Sequence, residues 1–158
     1  MNEIKIYPIG KIENKEESVC IKLDAKYAEG LKGLEGYSHI QILWWADGCD
    51  NEQGRHTVTE KKPYRKRPEE LGVFALRSPE RPNPIAVSNA GISYVDAENG
   101  VVGLYYIDAF DGTGVIDLKP YTPSIDRIEN PGTPKWSSHW PKSYEESGDF
   151  DWSSEFNF

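Results

Sequence analysis

The stretch Gly72 to Gly91, GVFALRSPERPNPIAVSNAG, decides how the rest of the chain is read. A short apolar strand is expected over Gly72 to Leu76, and a second begins near Ile85. Between them lies Arg77-Ser78-Pro79-Glu80-Arg81-Pro82-Asn83-Pro84. Three prolines within six residues fix φ at their own positions and push each preceding residue toward extended geometry. The connection is therefore stiff. It holds two guanidiniums, a hydroxyl and a carboxamide at set places between two strands, and such rigidity matters where function needs fixed geometry.

Working outward, strand character resumes over Ile85 to Val95, and Asp96 to Gly100 carries the Asn-Gly signal of a hairpin that returns through Val101 to Ile107. Asp108 to Gly114, DAFDGTG, is a glycine-bearing acidic loop, followed by a short strand over Val115 to Leu118. Upstream, Tyr37 to Ala46 (YSHIQILWWA) is the most apolar run, and its branched and aromatic residues favour a buried strand. Val19, Ile21 and Leu23 alternate with Cys20 and Lys22 in another strand, and Ala25 to Leu34 supports a short helical turn. The segment 3–12 reads as an opening strand, at an edge because of Pro8, with a charged turn over Glu13 to Ser18. Asp47 to Gly54 is a polar loop, and the residues from there to Pro68 read as a long mobile excursion of the kind that often serves as a binding loop. Six or seven short strands with few helices predict a mainly β fold, an antiparallel barrel or a sandwich.

The chain of 158 residues is long enough for one domain with a real core. Residues 1–130 are expected to form the barrel and 131–158 an acidic, tryptophan-bearing tail that straps onto the body or a partner. No apolar run approaches the ~20 residues of a membrane helix, and no signal-peptide pattern opens the chain, so cytoplasmic is the default. Cys20 reads as a small core residue and Cys49 as an exposed thiol in a polar turn; they make no disulfide framework. His39, His56 and His139 lack metal-site spacing, so no metal is expected. A net charge of −8 argues against broad nucleic-acid binding. It leaves room for a local patch: Arg55, Lys61, Lys62, Arg65, Lys66 and Arg67 stand against the single acid Glu60. A charge run is more often only a solvated face.

Glycine-rich phosphate loops, nucleophile elbows and zinc signatures are missing from the sequence. Two segments remain as places for chemistry, the proline loop and Asp108 to Gly114. Arg77 and Arg81 either pair with acids of the fold or bind a ligand carboxylate bidentately. Asn83 either closes a turn or offers its amide to a nucleobase edge. Asp111-Gly112-Thr113-Gly114 is either an ordinary turn or a place where glycine permits close approach of a ligand. Each residue alone favours the structural reading; two such loops in one small domain shift the balance toward a site.

The run Arg77 to Ile85 (RSPERPNPI), then Asp108 to Thr113, Asp117, Lys119, Pro120 and Tyr121, resembles the TrmO/TsaA-like family of S-adenosylmethionine-dependent methyltransferases. Gly30 to Ile40 (GLKGLEGYSHI) resembles that family's approach to its apolar strand, and the likeness covers roughly residues 4 to 130. The resemblance implies a β-barrel, a homodimer, S-adenosylmethionine bound near the subunit interface, and N6-methylation of threonylcarbamoyladenosine beside the tRNA anticodon. Carried over by position, cofactor contacts are expected at Asp47, Gly48, Arg77, Ser78, Arg81, Asn83, Val87, Asp111, Gly112 and Thr113. Departures are the missing Pro-Arg-Gln contact after the first strand, Ile85-Ala86-Val87-Ser88 in place of IGLS, and Gly114 closing the DGT run.

Methyl transfer needs an in-line approach of nucleophile to sulfonium methyl, and alignment alone is worth up to about 7–11 kcal/mol. An amide-like N6 is a poor nucleophile, so a proton acceptor or polariser is also expected, with Asp111, Asp117 and Tyr121 as candidates. Lys61, Lys62, Arg65, Lys66 and Arg67 are expected to meet anticodon-loop phosphates. Two rivals stand beside tRNA methylation: methyl transfer to a small metabolite, and a non-catalytic module that binds the cofactor or a nucleotide.

Overall fold

The structure is a computed structural model that describes residues 3–66 and 68–157. Among these residues eight strands form, all paired antiparallel: β1 (Gly10–Lys15), β2 (Ser18–Leu23), β3 (His39–Trp45), β4 (Thr59–Lys61), β5 (Glu70–Gly72), β6 (Ile85–Asp96), β7 (Val101–Leu104) and β8 (Gly114–Pro120). Six of them close into a barrel in the order β1-β2-β7-β6-β3-β8, and β4 and β5 pair as a separate hairpin on its flank. The barrel expected from the sequence is present.

Alternation builds the core. Ile40 and Ile42 on β3, Ile12 on β1, Ile21 and Leu23 on β2, Val102 and Leu104 on β7 and Val115 on β8 all turn inward and are buried. Leu31, from a 3-10 turn over Ala25–Leu31, and Ile107 complete the filling. Gly10 lies against the backbone of Leu23, where an added Cβ would stand 2.7 Å from the Leu23 Cα, so β1 and β2 approach closely only because this residue has no side chain. The strands are fastened unevenly. β3 and β6 share seven residue pairs, whereas β1 and β8 share two, Gly10 with Val115 and Lys11 with Gly114.

Several expectations are corrected. The opening strand begins at Gly10 and runs through the supposed turn to Lys15, while Ile4 and Ile6 are exposed. Because the barrel closes, β1 is no edge. Residues 73–76 are not strand: Val73–Ala75 is a 3-10 turn, with Leu76 after it. Cys20 faces outward and is half-buried, since its neighbours Ile21 and Val19 alternate with it. Cys49 is also half-buried, and burial pushes both thiols up. The described residues of the polar loop to Gly54 and of the excursion beyond it are structured, with a short helix α1 (Glu52–His56) across their junction, then the β4–β5 hairpin, and an isolated bridge from Tyr64 to Phe156 of the tail.

Candidate functional site

Strand register decides which loops meet. Trp45 lies opposite Ile85, Trp44 opposite Ala86 on one side and Val115 on the other, and Leu43 between Val87 and Asp117. The end of β3 and the starts of β6 and β8 therefore coincide at one end of the barrel. Asp47 and Gly48 leave from the first, Arg77 to Pro84 enter the second, and Asp111 to Thr113 enter the third. Three segments far apart in sequence converge at one rim.

The proline loop is held from inside. Arg81 donates from Nε to the Ser78 carbonyl at 2.7 Å and from Nη2 to the carbonyls of Val73 and Leu76 at 3.0 and 2.7 Å. Its guanidinium thus organises the loop, which favours the structural side of the alternatives for this residue. Pro84 is fully buried, its carbonyl takes the Ala46 amide at 2.9 Å, and the Asn83 carbonyl takes the Ile85 amide at 2.7 Å. Arg77 is exposed; Nη2 donates to the Val87 carbonyl at 3.3 Å. Asn83 and Val87 are exposed and Ser78 is half-buried.

A clamp that the sequence reading did not identify secures the neighbouring segment. Asp50 accepts from the Trp45 indole at 2.9 Å and from Arg55 Nε, and the Arg55 guanidinium lies 5.5 Å from the Trp45 ring centre. The bonds from Arg55 and then Trp45 hold the Asp50 carboxyl below its usual range. Asp47–Cys49 forms a 3-10 turn above this clamp, with Asp47 and Gly48 exposed and open space where a Gly48 Cβ would stand.

The third segment is pinned to β1. Asn14 donates its amide to Asp111 Oδ1 at 2.9 Å and its carboxamide to the Ala109 carbonyl at 2.8 Å. The Gly112 amide reaches the Ile12 carbonyl, the Ile12 amide reaches the Thr113 carbonyl, and Thr113 is buried. Gly112 has φ +83°, a left-handed conformation suited to glycine, and nothing lies within 4 Å of where a Cβ would be. Asn14 is separated from its partners by more than ninety residues, so local sequence carries no signal for it.

The proposed acid–base candidates do not all belong here. Asp117 lies beside Leu43 near the rim, but Oδ2 is ion-paired to Lys119 Nζ at 2.7 Å and Oδ1 accepts its neighbour's amide. That pairing raises the Lys119 ammonium. Tyr121 follows the other end of β8; its amide bonds the His39 carbonyl, and its ring lies 6.4 Å from the His39 ring. Within one chain the structure does not bring Tyr121 to the rim. Asp111 remains there, exposed.

The basic residues are also partly engaged. Arg65 donates to the Phe156 carbonyl at 2.7 Å, Lys66 pairs with Glu155 at 3.3 Å, and Lys62 pairs with Glu69 at 3.3 Å. Lys61 is exposed on β4, and Arg67 lies outside the described residues.

Comparison with known proteins places these observations. A family model described as the tRNA-methyltransferase O N-terminal domain matches residues 2–127. An S-adenosyl-L-methionine-binding protein of Archaeoglobus fulgidus is 37% identical over 103 residues, which are 65% of this chain and 68% of that protein. A mouse tRNA (adenine(37)-N6)-methyltransferase is 39% identical over 101 residues, 63% of this chain and 22% of its own. A crystal structure of TrmO from Pseudomonas aeruginosa superposes with a TM-score of 0.63 at 26% identity, covering 85% of this chain and 62% of that one. The chain spans 29, 68 and 65% of the first three curated relatives it matches.

Proposed function

Because the chain belongs to the tRNA-methyltransferase O N-terminal domain family, we propose that it is an S-adenosylmethionine-dependent methyltransferase that methylates N6 of threonylcarbamoyladenosine next to the tRNA anticodon. The observation that carries this reading is the meeting of Asp47–Gly48, the proline loop and Asp111–Thr113 at one barrel rim. The residues fit the cofactor. Arg77 presents an exposed guanidinium for the methionine carboxylate. Gly48 and Gly112 leave open the space that side chains would fill, so backbone groups and Asp47 or Asp111 can face the adenosine.

Bound S-adenosylmethionine supplies an electrophilic methyl group on a sulfonium. The chain's contribution is chiefly alignment, for which a loop fixed by Arg81 and by three prolines, Pro84 among them fully buried, is suited. Asp111 is the carboxylate we assign to accept or polarise the N6 proton, because it is exposed at the rim whereas Asp117 is ion-paired to Lys119. The rim is open on this chain, and Leu43, Val87 and Trp45 share an outward sheet face beside it. Coverage by a second copy fits a homodimer with the cofactor at its interface, working in the cytoplasm where its RNA is found.

Titration calorimetry with S-adenosylmethionine, followed by transfer of labelled methyl to total tRNA, tests the reading. Expected are selective binding and labelling of adenosine that falls steeply with salt. Failure to bind, with or without tRNA, overturns the reading; so does binding without methylation. Methyl transfer to a metabolite extract but not to tRNA would establish the second reading, a small acceptor, which the engagement of Arg65 and Lys66 by the tail favours.

A further inference from the structure

The β4–β5 hairpin has three residues in each strand, and an isolated two-stranded ribbon is marginal in water. At its base the ribbon is extended by one more bond, from the Val73 amide to the Val58 carbonyl, and the Val73 carbonyl in turn accepts from Arg81 of the proline loop. Its tip is held by the tail. Tyr64 lies 5.1 Å from the rings of both Trp136 and Trp140 and 5.7 Å from Phe156, and Trp152 stacks on Phe156. Backbone bonds run from Arg65 to the Glu155 carbonyl and from Asn157 to the Pro63 carbonyl, while the Asn157 carboxamide reaches the Lys62 carbonyl.

At the centre of these contacts sits a carboxylate. The Glu155 side chain is 2% exposed. Oε1 meets His139 Nε2 at 2.8 Å and Lys66 Nζ at 3.3 Å, and Oε2 accepts from the Trp140 indole at 3.1 Å. A buried carboxylate persists only when paired in this way, and removing it leaves several donors without their acceptor. The same group therefore joins the end of the tail to the His139–Trp140 pair earlier in it, and both to the hairpin through Lys66.

We propose that residues 135–157 form an intramolecular strap and that Glu155 is a positioning residue, which fixes the basic hairpin bearing Lys61 and Lys62 for contact with acceptor RNA. Arg65 and Lys66 then serve the strap rather than the phosphates. The acceptor half of this inference rests on the function proposed above; the strap itself does not.

Amide hydrogen exchange and steady-state methylation of tRNA, both on the full chain, test it together. In Glu155→Ala, exchange over 58–72 is expected to rise about tenfold or more while β3 and β6 stay protected. The KM for tRNA should rise at least about fivefold, the low end of site-to-site coupling, with kcat and cofactor affinity within about twofold. Glu155→Gln, which keeps an acceptor for Trp140, should fall between. Lys66→Met, which alters only the hairpin side, should loosen the hairpin in the same direction and carries the test if Glu155→Ala does not fold. Unchanged exchange over 58–72 overturns the strap. A loosened hairpin with an unchanged KM overturns the positioning role. A wild-type chain that methylates no tRNA refutes the proposed function and the acceptor half with it, whereas exchange still judges the strap.

Discussion

Arg81→Ala withdraws the guanidinium bonds to three carbonyls, those of Ser78, Val73 and Leu76, and leaves the loop to its prolines and a few backbone bonds, among them the Leu76 amide on the Val73 carbonyl. A hydrogen bond from a charged group contributes about 1.5–3 kcal/mol net, so three give an upper bound of about 4–9 kcal/mol. Arg81 is half-buried, and water can reach part of what the guanidinium leaves. The expected loss is therefore about 2–4 kcal/mol, against a total of about 5–15 for an ordinary domain. At about 2–4 °C per kcal/mol for a chain of this size, the melting midpoint should fall by about 5–15 °C. Arg77→Ala, which gives up one long bond to Val87, should leave the midpoint nearly unchanged yet weaken S-adenosylmethionine several-fold or more. Thermal melts and calorimetric titrations of both variants separate the roles. An Arg81→Ala protein that melts like wild type but has lost cofactor binding would refute the argument, because Arg81 would then be a ligand contact and not a brace.

Further outcomes are expected. Gly10→Ala sets a methyl against the Lys22 carbonyl oxygen and the Leu23 Cα, so β1 and β2 must part at a cost of about 1–3 kcal/mol or more; a denaturant midpoint equal to wild type would contradict this. Gly103→Ala meets the Tyr94 ring, which is half-exposed and able to swing away, and should be tolerated better in the same assay. The Glu155 carboxyl is pushed down to about 2 by bonds from His139 and then Trp140, below its usual 4.5. A lowered value in the folded state means that the stabilisation is complete above the usual value and is lost as pH falls from about 4.5 toward 2. Tryptophan fluorescence from Trp136, Trp140 and Trp152 should report that loss in wild type and not in Glu155→Gln; a flat signal across the window in wild type would count against it.

The barrel was legible because its strands carry their instructions locally. Ile40, Ile42 and their outward neighbours alternate, and Asn99-Gly100 closes the β6–β7 turn with Gly100 at φ +67°. The rim was legible through proline stiffness and the glycine of DGTG. What stayed hidden depends on distant pairs. Nothing near Asn14 announces that it holds Asp111, and nothing near Glu155 announces Lys66. Residues 3–9 carry β-forming side chains, but Pro8 has no amide to pair, and it is Ile9 after it that bonds the Val115 carbonyl. The excursion looked structureless because its support comes from tryptophans seventy residues and more downstream of Tyr64. Whether Arg81 braces the fold or meets a ligand stayed open in the sequence, because composition cannot tell a guanidinium facing outward from one turned onto its own carbonyls.

The narrow join between β1 and β8 bears on how the protein is made. It unites the first strand of the barrel with the last, two residue pairs across about a hundred positions of chain, so it is the contact with the largest loop to close and the least to gain from closing. The bonds of Asn14 and Ile12 to residues 109–113 reinforce that same join. During synthesis β1, β2, β3, β6 and β7 can begin to associate as they emerge, whereas residues 111–113, which dock on Ile12 and Asn14 of β1, emerge only just ahead of β8 and shut the cylinder with it. The rim that would receive the cofactor is thus the last part of the barrel to exist, and a chain stalled before β8 has arginines and prolines in place but no site.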